Sequence, residues 1–189
     1  MWPDQPELVK CPHCQAILWI DDQEMVGEKE EWCPFFDKNA DSAGKMDFSC
    51  AVPYLKLNRA DYFKVIGQGG LDDERLRHVR NRAWHCGNHV RRTCTQDRSL
   101  FRRKANWQPA PMSARERANL EALLSLLDEG NDEDRILKAE ACRELGRFDD
   151  ALRLLNGPIE EDIKAIADII RELATKHDAI VKEIIREDG

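Results

Sequence analysis

The sequence predicts a mainly α-helical chain with a small β module at its N-terminus. Apolar residues recur at three- and four-residue steps through most of residues 113–174, which is the spacing of amphipathic helices. Gly130 and Gly146 stand where such runs stop, as helix-ending residues do. Residues 16–20, in contrast, are rich in strand formers and follow two closely spaced cysteines. These observations predict helical hairpins preceded by a short β-hairpin.

A metal-binding turn is predicted at the start of the chain, in the stretch VKCPHCQAILWI. Cys11 and Cys14 are separated by two residues, so their thiolates can approach one ion together, and Pro12 helps to preset the turn. The stretch resembles the first half of a zinc ribbon. That resemblance implies a structural Zn²⁺ site supported by a β-hairpin.

The remaining metal ligands have to come from scattered positions, because the chain has no second C-x₂-C pair. One solution adds Cys33 and Cys50 to the pair at Cys11 and Cys14. Another adds the C-x₂-H pair Cys86 and His89, in HCGNH, to complete a Cys₃His site. A chain without metal stays open, with the CPHC turn as a vestigial knuckle or a dithiol.

The middle of the chain predicts two helices and a basic loop. Asn58 is a suitable cap for the first helix, and residues 71–85 predict the second, with an acidic first turn that suits the helix dipole. Residues 86–111 are expected to form an arginine-rich loop that ends in a proline-containing linker. We therefore divide the chain into a zinc-knuckle-like module (1–57), a helical middle (58–112) and a helical domain (113–189).

The C-terminal domain is predicted to contain a pair of antiparallel helices around Gly146. An apolar run stops at Gly146, and Ala151 begins a second run in which a small residue lets the two helices lie close together. The pattern resembles one tetratricopeptide-type repeat, in which a Gly and an aromatic residue (Phe148) at the turn precede an Ala on the second helix. The resemblance implies a scaffold or peptide-binding surface, although a single hairpin of this kind serves equally as plain packing.

Composition predicts a soluble cytoplasmic protein with no membrane segment. The 189 residues are 42% apolar, which is enough for a packed core. No run of about 18 apolar residues could span a bilayer, and the N-terminus lacks the features of a secretory signal. Seven cysteines cannot all pair with one another, and the CPHC spacing suits a reducing compartment.

Charge is distributed unevenly along the chain. The net charge is −5 over residues 1–70, +6 over residues 71–104 and −8 over residues 105–189. The basic middle either binds nucleic acid or an acidic partner, or matches the acidic helical end of the same chain. The overall charge of −7 favours the internal match, because it repels a polyanion.

No catalytic constellation is predicted, since the five histidines are dispersed and no serine lies in a nucleophile elbow. We expect a non-enzymatic cytoplasmic adaptor or scaffold that binds another protein through its helical domain and carries a structural zinc module. The alternative is a nucleic-acid-binding accessory protein that uses the knuckle and the basic segment 75–104. A second alternative is a thiol redox protein that uses Cys11 and Cys14.

Overall fold

The computed structural model describes residues 6–24, 52–96 and 111–182, with side chains in the middle range as far as residue 92. The chain divides into two compact units, residues 1–57 and 58–189. The predicted boundary after residue 57 coincides with this division, and the one after residue 112 lies inside the second unit. Cys33 and Cys50 lie outside the described residues.

The first unit contains a small antiparallel sheet. Strand β1 (Leu8–Lys10) pairs with β2 (Ile17–Trp19), with Leu8 opposite Trp19. Lys10 also pairs with Leu55 on its other side, through hydrogen bonds of 3.1 and 2.9 Å between their backbone groups. The β-hairpin around the CPHC turn is therefore present, as the sequence predicts.

In the described residues of the second unit, all regular secondary structure is helical. In chain order its helices are α1 (Arg59–Gln68), α2 (Asp73–Gln96), α3 (Ala114–Leu124), α4 (Asp132–Glu144), α5 (Phe148–Leu154) and α6 (Glu161–Thr175). The protein is thus mainly α, as predicted. No helix in the described ranges is both long enough and apolar enough to cross a bilayer.

Side-chain caps begin two of the predicted helices where the sequence places them. Asn58 accepts hydrogen bonds from the N–H groups of Ala60 and Asp61 and forms a capping box with Asp61. Ser113 forms the same arrangement with Glu116 at the start of α3. These local interactions account for the accuracy of both predicted helix starts.

The predicted loop over residues 86–111 is wrong in its first part. Helix α2 continues through His85 and Gly87 to Gln96. A glycine inside a helix costs about 1 kcal/mol relative to alanine, so a glycine in the sequence favours the end of a helix. In the structure, a Cβ atom at Gly87 would lie 2.6 Å from Oε1 of Glu116. Gly87 is therefore a packing position, where α3 comes close to α2.

Two apolar cores meet on α4. One face of α4, with Ile136, Ala139 and Cys142, packs against α5 and α6. The other face, with Ala141 and Leu145, packs against Trp84 of α2. It also packs against Leu120 and Leu123 of α3 and against Leu127, which lies just after α3. The apolar residues that recur at three- and four-residue steps in the sequence of these helices therefore lie in the interior.

The turn between α4 and α5 matches the prediction in detail. Gly146 has a φ angle of +79°, and its N–H donates to the carbonyl of Arg143 at 3.0 Å. The N–H of Arg147 donates to the carbonyl of Cys142 at 2.8 Å, which completes a Schellman motif. Ala151 is fully buried against α4 and α6.

We predict that Ala151→Arg destabilises the helical unit strongly, because the site has room for only a methyl group. Overpacking costs about 1 to 3 kcal/mol, and the desolvated charge adds to that cost. Urea unfolding followed by circular dichroism measures the loss. Ala165→Arg, which makes the same change at an exposed position of α6, is the control and should be near neutral. Equal stability of the two variants would contradict the close packing at Ala151.

Candidate functional site

The CPHC turn connects β1 to β2 and is closed by backbone hydrogen bonds. The N–H of Cys11 donates to the carbonyl of Ala16 at 2.8 Å, and the N–H of Gln15 donates to the carbonyl of Cys11 at 3.1 Å. Gln15 has a left-handed φ of +61°, which turns the chain back toward β2. The loop therefore closes tightly around the two cysteines.

Hydrogen bonds within this loop stabilise the thiolate form of Cys11. The backbone N–H groups of Cys14 and His13 lower the pKa of the Cys11 thiol, and the thiol of Cys14 contributes in the same direction. Both cysteines are free thiols, with Cys14 exposed. The thiolate is the form of cysteine that binds a metal ion, and the lowered pKa of Cys11 favours that form.

Of the four metal ligands that the sequence predicts, only Cys11 and Cys14 lie among the described residues. Within the described ranges, no group of three or more His, Cys, Asp or Glu side chains is placed to hold a metal ion. Cys33 and Cys50, which are expected to complete the set, lie outside those ranges. Their role therefore stays a prediction.

The alternative ligands Cys86 and His89 lie on α2 of the helical unit, in cationic surroundings. Burial raises the pKa of the Cys86 thiol, and the positive charges of Arg82 and Arg59 only partly oppose that effect. Arg59 and Arg82 line the same cleft as Cys86 and His89. The pairing of these two residues with Cys11 and Cys14 stays a prediction.

A buried polar network, which the sequence analysis missed, joins α2 to α4. Nε1 of Trp84 donates to Oε2 of Glu144 at 2.8 Å, and Nδ2 of Asn88 donates to Oε1 of Glu144 at 2.6 Å. Glu144 is 6% exposed. Trp84 and Asn88 are four residues apart, so they lie on the same face of one continuous helix. Because the sequence predicts a helix end at His85, this relation was missed.

The network continues from Asn88 to α3 and α1. Arg91 donates to Oδ1 of Asn88 at 2.9 Å and to Oε1 of Glu116 at 3.0 Å. The same oxygen of Glu116 accepts a hydrogen bond of 2.7 Å from Arg59, at the start of α1. One chain of polar contacts therefore links four helices.

The two carboxylates of this network have pKa values displaced in opposite directions. Desolvation raises the pKa of Glu144 to about 7, and the hydrogen bonds from Trp84 and Asn88 oppose it only in part. Burial also tends to raise the pKa of Glu116. Its hydrogen bonds from Ser113 and the nearby guanidinium groups of Arg91 and Arg59 outweigh burial and lower that pKa to about 2.

A cavity of about 300 Å³ adjoins Glu144, lined by residues of α2, α4 and α6 and by Val181 and Lys182. Both oxygens of Glu144 already accept hydrogen bonds from protein donors. The carboxylate therefore holds α2 against α4.

Comparison of the chain with protein-family models, with curated proteins and with solved structures finds no match.

We predict that the protein binds about one Zn²⁺ per chain and that Cys11→Ser and Cys14→Ser abolish binding. Cys33→Ser and Cys50→Ser should reduce the zinc content equally if they complete the site. Elemental analysis of protein purified without chelators, together with thiol titration, makes the measurement. Cys86→Ser is the control and should retain zinc. Zinc far below one per chain, or zinc unchanged in Cys11→Ser, would exclude the site.

Glu144 should make the stability of the helical unit depend on pH. Because its folded pKa of about 7 lies above the ordinary glutamate value of about 4.5, the folded state binds the proton more tightly. The free energy of unfolding should fall as pH rises from about 4.5 through about 7. Glu144→Gln should remove this contribution, so urea unfolding across that range should show a different slope from wild type. The exposed Glu121→Gln serves as the control; a slope equal to wild type in Glu144→Gln would contradict the prediction.

Proposed function

We propose that the protein is a non-enzymatic cytoplasmic adaptor whose helical unit binds another protein and whose N-terminal unit is a structural zinc module. The observation that carries the proposal is the hairpin of α4 and α5. Its Gly146 turn, its aromatic residue Phe148 and its buried Ala151 support the resemblance to a tetratricopeptide-type hairpin, although α5 has only seven residues. Such hairpins serve as scaffolds for peptide binding.

The size of the sheet supports the zinc part of the proposal. Strands β1 and β2 have three residues each. A two-stranded hairpin is only marginally stable in water by itself, and a structural metal supplies folding energy directly. A Zn²⁺ ion held by Cys11 and Cys14, with Cys33 and Cys50, would therefore stabilise the first unit.

The position of the CPHC turn favours a structural metal over redox catalysis. Thiols that act in disulfide exchange commonly lie at the start of a helix that follows a strand. Cys11 and Cys14 instead lie between two antiparallel strands. A lowered pKa at Cys11 serves either role, so the location of the turn distinguishes them.

Burial of the polar and apolar faces supports a binding role for the helical unit as a whole. The apolar faces of the helices are buried in the two cores. Glu116 and Glu144 accept hydrogen bonds from donors on other helices. A rigid framework of this kind presents a fixed surface to a partner, which reduces the entropy lost on binding.

We expect that tagged full-length protein captures a protein partner that remains bound after nuclease treatment and at raised salt. A complex held mainly through phosphates would weaken steeply with salt, because binding then releases counterions. The partner, once identified and purified, should bind the wild type and Ala165→Arg with equal affinity. Capture that disappears after nuclease treatment would favour the nucleic-acid alternative and overturn the proposed function.

A further inference from the structure

The segment that follows α6 turns back toward α4. His177, just after α6, has a left-handed φ of +53°, and the N–H of Asp178 donates to the carbonyl of Leu173 at 3.0 Å. A left-handed conformation is unfavourable for a residue other than glycine, so neighbouring contacts have to maintain this turn. We call residues 178–182, which follow the turn, the strap.

Arg143 of α4 holds the strap through its backbone. The guanidinium group is fully buried and forms two hydrogen bonds with the carboxylate of Glu140, at 2.6 and 2.7 Å. Its remaining nitrogen, Nη1, donates to the carbonyl oxygens of Asp178 and Ile180. Because every peptide has carbonyl groups, these two contacts depend on the shape of the backbone and not on the side chains of this segment.

Two side-chain contacts within the strap define that shape. Oδ1 of Asp178 accepts a hydrogen bond from the N–H of Ile180 at 2.9 Å, which is an Asx turn. The ammonium group of Lys182 lies 2.5 Å from Oδ2 of the same carboxylate. Asp178 is therefore the turn residue that presents the carbonyl groups to Arg143.

One buried side chain anchors the strap. Among residues 178–182, all of which the structure describes, only Val181 is buried. It is 9% exposed, whereas the neighbouring Ile180 is 47% exposed. Val181 belongs to neither of the two apolar cores. A segment with so few buried contacts opens at a lower free energy than the cores, so the strap can leave α4 while the helices stay packed.

The cavity beside Val181 has room for a larger anchor. Its volume is about 300 Å³ with Val181 in its wall. Apolar side chains of three helices line it: Trp84, Ile136, Leu137, Ile166 and Ile170. Glu140 and Glu144, in the same wall, accept hydrogen bonds from protein donors. A side chain larger than valine would therefore bury additional apolar surface here.

We propose that the strap is an intramolecular ligand, and that a peptide segment of the same chemistry from the partner protein displaces it from Arg143 and from the cavity. The inference rests on the proposed function, because it names the segment that the helical unit takes from its partner. That segment has Asp or Asn at the position of Asp178, to form the turn, and Val or Leu three residues later, at the position of Val181. Until it is displaced, the strap lowers the affinity for the partner.

The test uses full-length protein and fluorescence anisotropy of a labelled peptide with the sequence of residues 176–182, KHDAIVK. In the wild type the strap competes with this peptide at an effective concentration on the order of millimolar, because strap and binding site belong to one chain. Val181→Ser removes the anchor of the strap and should bind the peptide at least about tenfold more tightly than wild type. Asp178→Ala, which removes the turn residue, should have the same effect.

The matched control is Ile180→Ser, which replaces an apolar residue by serine at the exposed neighbouring position. It should bind the peptide as weakly as wild type does. Circular dichroism melts show which variants are folded, and Asp178→Ala decides the test if Val181→Ser is unfolded. Equal affinity of the release variants and Ile180→Ser for the peptide, or no binding by either release variant, would overturn the proposal.

Variants of the peptide test the anchor position separately. With the Val181→Ser protein, a peptide that has Ser in place of the valine should not bind. A peptide with Leu in that place should bind about threefold more tightly than KHDAIVK, because it buries one more methylene group in the cavity. Binding of the serine peptide as tight as that of KHDAIVK would show that the cavity is not used and would overturn the proposal.

This result is distinguishable from the test of the proposed function. A partner retained after nuclease treatment, with no peptide binding by Val181→Ser or Asp178→Ala, would leave the adaptor function in place and exclude the strap as an intramolecular ligand. Peptide binding by these variants, with capture lost after nuclease treatment, would support the peptide site and overturn the adaptor function.

Discussion

The carboxylate of Glu116 is the point on which the arrangement of the helical unit depends. It caps α3 through Ser113, and one of its oxygens accepts hydrogen bonds from Arg59 of α1 and Arg91 of α2. A buried carboxylate is costly unless it is paired, so these contacts require the three helices to meet in one way. Gly87 leaves room for this carboxylate, since a Cβ atom there would lie 2.6 Å from Oε1 of Glu116 and would force the carboxylate to shift.

A second set of polar contacts connects the two apolar cores through α4. Glu144, at the end of α4, accepts hydrogen bonds from Trp84 and Asn88. Arg143, next to it in the chain, is fully buried, pairs with Glu140, and donates to the carbonyl groups of Asp178 and Ile180. Because each group is satisfied only in one arrangement, the pair fixes α2 on one side of α4 and the segment after α6 on the other.

The two units use different means of stabilisation. The helical unit buries two apolar cores and a continuous polar network, so it can hold a fixed surface without a metal. The first unit offers two strands of three residues and one tight turn around Cys11 and Cys14. The small size of the described sheet is the physical reason to propose a zinc cross-link in this unit.

Local chemistry by itself determined the mainly helical class, the caps at Asn58 and Ser113, the left-handed stop at Gly146 and the hairpin around CPHC, because each depends on residues close in sequence. Only the tertiary structure decided the length of α2, since a glycine in a helix is explained by the carboxylate that approaches it from α3. It also decided the roles of Glu116 and Glu144. Sequence spacing cannot show which donors from distant helices will meet a buried carboxylate. Those donors set the pKa of the carboxylate.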